Sequence, residues 1–204
     1  MDHFWSGLSS AIGGIVTAIV VFAILAMCGP EISNSFKEAS CADPKGLDRA
    51  EQPTRVEATS QLPPQESISY GPNNLVDGDT GTAWVEGADG LGVKERITFT
   101  WTARQNIKLI CVVNGYGKSW TSYTTNARLR LVNVSTNDED AEESALSEQN
   151  ESSFAEFQKL EGPQGETSAI TIEILAVRAG RDDSEDVKRA SDMAISEIEF
   201  WVSD

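Results

Sequence analysis

Beyond about residue 66 the hydrophobic positions recur every second residue. Ile97, Phe99 and Trp101 alternate with polar neighbours, and Ile107, Leu109, Cys111 and Val113 continue the pattern. Leu129 and Leu131 stand between Arg128 and Arg130; Ile170, Ile172 and Ile174 follow, and Ile198, Phe200 and Val202 lie near the end of the chain. A period of two places one face of a strand on a core and the other in water. No segment in this part carries a 3.6-residue stripe. Several such strands separated by turn residues predict an all-β antiparallel sandwich or jelly roll over residues 67–204. Trp84 and Trp101, on strand or strand-edge positions, are expected in its core.

The N-terminal pattern differs. Leu8 to Cys28 reads LSSAIGGIVTAIVVFAILAMC and holds no charge. As a helix it is ~31 Å long, matched to a hydrocarbon core of ~30 Å. The stretch before it has no Lys or Arg and Met27 precedes Cys28, so neither a cleaved signal peptide nor a lipoprotein signal fits as well as an uncleaved membrane helix. Residues 1–7 form a short tail. Residues 29–66 are polar, carry Pro30, Pro44, Pro53, Pro63 and Pro64, and read as a juxtamembrane linker. Lys37 and Lys45 follow the helix, and a literal positive-inside count puts the C-terminal side in the cytoplasm.

Charge and composition narrow the function. The 204 residues carry a formal charge of −16 and no basic cluster, which argues against nucleic acid and against an electrostatic hold on anionic lipid. The one histidine, His3, precedes the apolar run, so histidine-based triads and His-rich metal sites are excluded from the β region. Acidic residues accumulate from Asp138 to Glu156 without a compensating base, an insertion at about 136–152 expected to be a solvated loop.

Three stretches carry candidate chemistry. In YGPNNLVDGDTGTAWVE, Tyr70–Glu86, Asn73, Asn74, Gly78 and Gly81 supply turn residues while Asp77, Asp79 and Thr82 gather hard oxygens. Such a loop suits either Ca²⁺, which takes 6–8 oxygen ligands, or an ion-free Asx turn. In AISEIEFWV, Ala194–Val202, Glu197 and Glu199 sit off the apolar face, and Glu197 completes the oxygen set if the first loop lies beside the last strand. In VNGYGKSWTSYTTNARLR, Val113–Arg130, Tyr116, Trp120 and Tyr123 stand among Gly, Ser and Thr, followed by Asn126 and Arg128. Aromatic faces beside amide and guanidinium donors are what a sugar ring and its hydroxyls require. Trp120 and Tyr123 are expected to be exposed.

DGDTGTAWVEG, NGYGKSWTSYTTNARL and ISEIEF together resemble the NADase-type glycan-binding domain, a discoidin-like module first recognised as the translocation domain of a bacterial NAD glycohydrolase toxin. It is a distant relative of galactose-binding-like jelly rolls. The resemblance covers residues 67–202 and implies an eight-stranded jelly roll that binds glycans and catalyses nothing; the toxin's catalytic domain has no counterpart. It further implies a structural Ca²⁺ held by the Asn74 carbonyl, Asp77, Asp79, Thr82, the Ser196 carbonyl and Glu197. Tyr116, Trp120, Tyr123, Asn126 and Arg128 would line the ligand face.

Glycans being mostly extracytoplasmic, the role favours an outward C-terminal domain over the two-lysine signal. Cys41 and Cys111 can then pair, but Cys111 falls on the inward face of its strand, and a buried free thiol is the expected state. The leading expectation is thus a membrane-anchored, non-enzymatic glycan-binding module at the cell surface. The alternative is a scaffold domain docking a protein partner through its acidic loop. A hydrolase using Glu86, Glu197 or Glu199 ranks third, because nothing sets two carboxylates across a bond.

Overall fold

A computed structural model describes residues 38–181 and 192–203. The apolar run Leu8–Cys28 lies outside them, and among the described residues no helix is long and apolar enough to cross a membrane.

The predicted alternation produces strands throughout. In chain order they are β1 (Asp48–Arg49), β2 (Arg55–Ala58), β3 (Trp84–Val85), β4 (Arg96–Asn114), β5 (Arg128–Thr136), β6 (Glu142–Ala145), β7 (Gln158–Leu160), β8 (Gly165–Arg178) and β9 (Ala194–Val202). A 3₁₀ turn spans Pro72–Leu75, and one short helix, α1, spans Trp120–Thr125. The strands form one hydrogen-bonded sheet in the order β1-β9-β4-β8-β5-β6, with β2 and β7 also on β4 and β3 on β9. All of these pairings are antiparallel.

The expected separate layers are therefore joined through shared long strands. Over Ile97–Thr100 β4 pairs with both β2 and β8, over Gln105–Ile107 still with β8, and from Ile107 to Asn114 with β9 and, at Ile110–Val112, with β7. A register shift interrupts the β8 pairing between Thr100 and Gln105; an irregularity of this kind lets a strand bend and change partners. Phe99, before the shift, meets Phe200 of β9 edge-on at 4.9 Å, and Trp101 meets the same ring at 5.0 Å. Trp84 and Trp101 are core residues, as the alternation predicts, and their indole N–H groups donate to the Ser60 and Glu51 carbonyls.

Three expectations are corrected. Residues 29–66 are not a linker throughout, because folded structure begins near Ala39. There β1 pairs with β9 and β2 with β4. Strands of two and four residues are too short to show a period, and backbone pairing holds them. Second, Cys111 is buried but not free: it is bonded to Cys41, Cα–Cα 5.7 Å. The run Leu109–Asn114 is buried at every position. Both faces of this part of β4 are thus covered, and the folded N-terminal segment brings Cys41 to it. Third, Leu131 is only half-buried while Val132 and Val134 point inward. Register shifts around Leu129–Val132 flip the faces there.

Candidate functional site

Two of the three candidate stretches meet at the last strand. The loop after the 3₁₀ turn leads into β3, which pairs with β9. The Gly78 N–H donates to Glu197 Oε2 at 3.1 Å, so the first loop and the last strand are neighbours, as calcium ligation would require. The loop's own hydrogen bonds follow the Asx pattern. Asp77 accepts from the Asp79 N–H at 2.9 Å and from the Thr82 hydroxyl at 2.8 Å, and Asp79 Oδ1 accepts from the Gly81 N–H at 2.8 Å. The Asn74 amide donates to the carbonyls of Ser69 and Ala83, and Ser196 Oγ accepts from the buried Gly117 N–H.

Electrostatics here are tight. Glu197 is 1% exposed. Burial, with Asp77 and Glu199 adding to it, pushes its carboxyl up to about 7, against the opposing Gly78 N–H and Arg49. Arg49, on β1, sets its guanidinium 3.4 Å from Glu197 and 3.2 Å from Glu199. Among the described residues no three acidic, His or Cys side chains converge on a point that could hold a metal. As arranged, the side chains of Asn74, Asp77, Asp79, Thr82, Ser196 and Glu197 build an Asx-stabilised loop with an arginine counter-charge.

The third stretch divides in two. Tyr116 lies in a small cluster with Tyr70, Ala83, Val85 and Ala194, under the Asp77 loop. Burial, with Tyr70 and Asp79 close by, raises its phenol pKa. Past it, the chain turns into α1. Ser119 caps the helix, its hydroxyl accepting from the Ser122 N–H at 3.0 Å. Thr124 and Thr125 hydroxyls bond back to the Trp120 and Thr121 carbonyls, and the Asn126 amide takes the Ser122 carbonyl at 2.8 Å. Side chains that compete for backbone groups end the helix within two turns.

On α1, Trp120 is half-buried and Tyr123 is 1% exposed, so the expected exposure fails for Tyr123. The two rings stack at 5.4 Å with 17° between planes, and Phe154 tilts against both at 5.9 and 5.8 Å. Gly115, at φ +98°, makes the space, since a Cβ there would meet the Tyr123 ring at 2.8 Å. Burial raises the Tyr123 phenol pKa, and its oxygen accepts from the Gln149 N–H at 3.0 Å. Arg128 lies 4.7 Å above the same ring and donates to the Tyr123 and Asn126 carbonyls. Asn126 and Arg128 are therefore committed to local structure, and Trp120, like Tyr116 and Phe154, is half-buried and keeps accessible surface.

Sequence reasoning missed Glu148, Phe154 and Arg178. The acidic insertion is folded rather than open: β6 pairs with β5, Leu146 is buried, and Glu148 bridges Arg128 at 2.7 Å and Arg178 at 3.1 Å. Its self-repulsion is overcome by two guanidiniums and an aromatic contact. The signal was present in Leu146 and Phe154, two apolar residues inside an acidic run.

The family described as the NAD glycohydrolase translocation F5/8 type C domain matches residues 48–201. The chain belongs to this family. The match starts at β1 of the translocation-type domain, in keeping with a fold that takes in the segment read as linker. No curated protein sequence matches. Among solved structures, this domain is similar to the tandem CBM32 domains of Clostridium perfringens ZmpB in complex with GalNAc, with TM-score 0.53 and 7% identity over 76% of this chain and 34% of that one. It is also similar to the arabinofuranosyltransferase AftD from Mycobacteria, with TM-score 0.51 and 12% identity over 77% of this chain and 12% of that one. The chain spans about a third or less of each of these proteins. At such identities the likeness shows a shared fold, that of carbohydrate-binding modules.

Proposed function

We propose that the chain is a non-catalytic carbohydrate-recognition module, held at the membrane by its N-terminal apolar run and facing an oxidising, extracytoplasmic space. The observation that carries this reading is the Trp120 ring, backed by Tyr123 and Phe154 on a capped helix at the rim of a carbohydrate-module fold. A rigid aromatic half in water is a platform for the C–H face of a pyranose. A ZmpB domain of the same fold is in complex with GalNAc, which supports a glycan ligand of some kind here. The Cys41–Cys111 bond supports the outward orientation, since disulfides persist in oxidising compartments. Carboxylates that a hydrolase would need are otherwise engaged: Glu197 and Glu199 by Arg49, and Glu86 Oε2 by the Ala88 N–H at 2.7 Å.

The test is a glycan array probed with the full chain and with Trp120→Ala. The expected result is a defined set of bound glycans lost in the variant while the melting temperature is kept; an unchanged profile removes Trp120 from the site. A second reading, a basic protein docked on the acidic segment, draws on the exposed Glu139, Asp140, Glu142 and Glu143 around β6. Such a complex dissociates as salt rises toward 0.5 M, whereas sugar stacking persists.

A further inference from the structure

The acidic segment carries Phe154 to the candidate site, and the distances between rings fix where it stands. Trp120 and Tyr123 stack with centroids 5.4 Å apart, and Phe154 lies 5.9 Å from the first and 5.8 Å from the second. A ring laid over the indole face turned away from Tyr123 would stand much farther from Tyr123 than from Trp120. The near-equal distances therefore place Phe154 at the flank of the stack, and it leaves that indole face uncovered. Its plane is inclined 57° to Trp120 and 51° to Tyr123. Tyr123 is buried, whereas Trp120 and Phe154 are both half-buried and keep accessible surface. The turn that bears Phe154 is held without help from Trp120. The Gln149 N–H donates to the Tyr123 hydroxyl at 3.0 Å and Ser153 Oγ donates to Gln149 Oε1 at 2.7 Å. Asn150 Oδ1 accepts from the Ser152 N–H at 2.9 Å and from its hydroxyl at 2.6 Å, and the Ser153 and Glu156 N–H groups close turns on the Asn150 and Ser153 carbonyls.

We propose that Phe154 is the specificity-determining residue of the glycan site, selecting pyranoses whose ring substituent ends in a methyl group, an acetamido group above all, over those bearing hydroxyls alone. The inference rests on the carbohydrate reading above and adds what that site discriminates. A single flat aromatic takes the C–H face of nearly any pyranose, so Trp120 by itself supplies affinity without choice. A second ring at its flank, inclined to it, meets whatever overhangs the edge of the indole. A hydroxyl pressed there loses water and finds no strong hydrogen-bond partner, which costs free energy; a methyl pressed there leaves water, which gains it. An acetamido group reaches past the sugar ring and ends in such a methyl. The stacking ring and the selecting ring come from separate segments, α1 and the turn at 149–156. The selectivity can therefore be altered through the turn while the platform stays.

The experiment titrates the full chain with methyl glycosides of glucose and galactose, each as the plain hexose, the N-acetylhexosamine and the free hexosamine, following tryptophan fluorescence. In at least one of the two configurations the N-acetyl form should bind about fivefold more tightly than its plain hexose, the gain expected for one buried methyl. Phe154→Ala should bring the two forms to equal affinity while binding of the plain hexose is kept, and Phe154→Leu, with an apolar flank, should retain most of the preference. A preference that survives Phe154→Ala overturns the proposal, as do equal affinities in the parent; in both cases the carbohydrate reading stands. A free hexosamine that binds more tightly than the N-acetyl form also overturns it, because the exposed Glu151 and Glu156 of that turn then govern the choice. No binding of any of these sugars overturns the proposal, and only an empty glycan array overturns the carbohydrate reading with it. If Phe154→Ala does not fold, the parent decides: its preference should persist at about 0.5 M salt, which screens charge and leaves methyl burial untouched, and a preference lost there refutes the idea.

Discussion

The bond between Cys41 and Cys111 closes a sequence separation of 70 residues, which contains β1, β2 and β3 and the Asp77 loop. Removing it with the double variant Cys41→Ser/Cys111→Ser leaves the native contacts almost intact and releases the unfolded chain. Loop-closure entropy for about 70 residues corresponds to about 4 kcal/mol at 25 °C. For a domain of about 160 residues each kcal/mol moves the midpoint by about 2–4 °C, so a fall of about 8–16 °C is expected. Two assays check this. Alkylation of the oxidised parent in denaturant should label one of the three cysteines, Cys28, and a thermal melt should place the double variant well below the parent. Labelling of all three cysteines, or a midpoint within about 2 °C of the parent, refutes the reasoning.

Three further outcomes are expected. Gly117→Ala places a Cβ 2.8 Å from the Thr80 carbonyl oxygen, where the aromatic-bearing turn meets the Asp77 loop, and should cost about 1–3 kcal/mol in urea unfolding. Glu86 is fully buried with Oε1 unpartnered, and burial foremost, then Asp192 and Glu95, raises its pKa above the ordinary 4.5. The folded chain then holds that proton to higher pH than the unfolded chain, so stability is greatest below pH 4.5 for this group and declines as pH rises through its folded pKa. Melts of Glu86→Gln from pH 4.5 to 8 should show a flatter decline than the parent, and an identical decline absolves Glu86. Finally, Arg49→Ala should lower the melting temperature by several degrees, while a calcium chelator should leave the parent's unchanged. A midpoint that climbs with added calcium shows instead that Asp77, Thr82 and Glu197 take up a cation.

The legible parts of the fold were those where burial is one-sided. Ile97–Trp101, Ile170–Ile174 and Ile198–Phe200 lie inside as their alternation requires, and the meeting of the DGD loop with Glu197 could be anticipated from turn residues and a polar position on an apolar strand. What stayed hidden follows a common cause. β1 and β2 are held by backbone bonds to β9 and β4, which no side-chain pattern reports. Leu109–Asn114 is buried on both faces, so alternation there misled the assignment of Cys111. At the candidate site, Tyr123 and Trp120 lie three residues apart on a helix of two turns, too short for a stripe to show which ring faces inward. Glu148 was invisible because its meaning depends on two arginines 20 and 30 positions away, brought together by strand register.

The covalent link between the start of the folded unit and β4 also governs how the molecule bears load. Tension applied to the chain ahead of Ala39 enters at Cys41, seven residues before β1, whose own grip on the sheet is two residue pairs. Without the link, that edge would peel away one rung at a time. With it, the force bypasses β1 and arrives at Cys111, deep in a strand flanked by β9 and β7. Traction then loads the pairings on both sides of β4 and not only the two residue pairs of β1. A domain pulled by the segment ahead of Ala39 thus passes the load to the middle of its sheet and not to its edge.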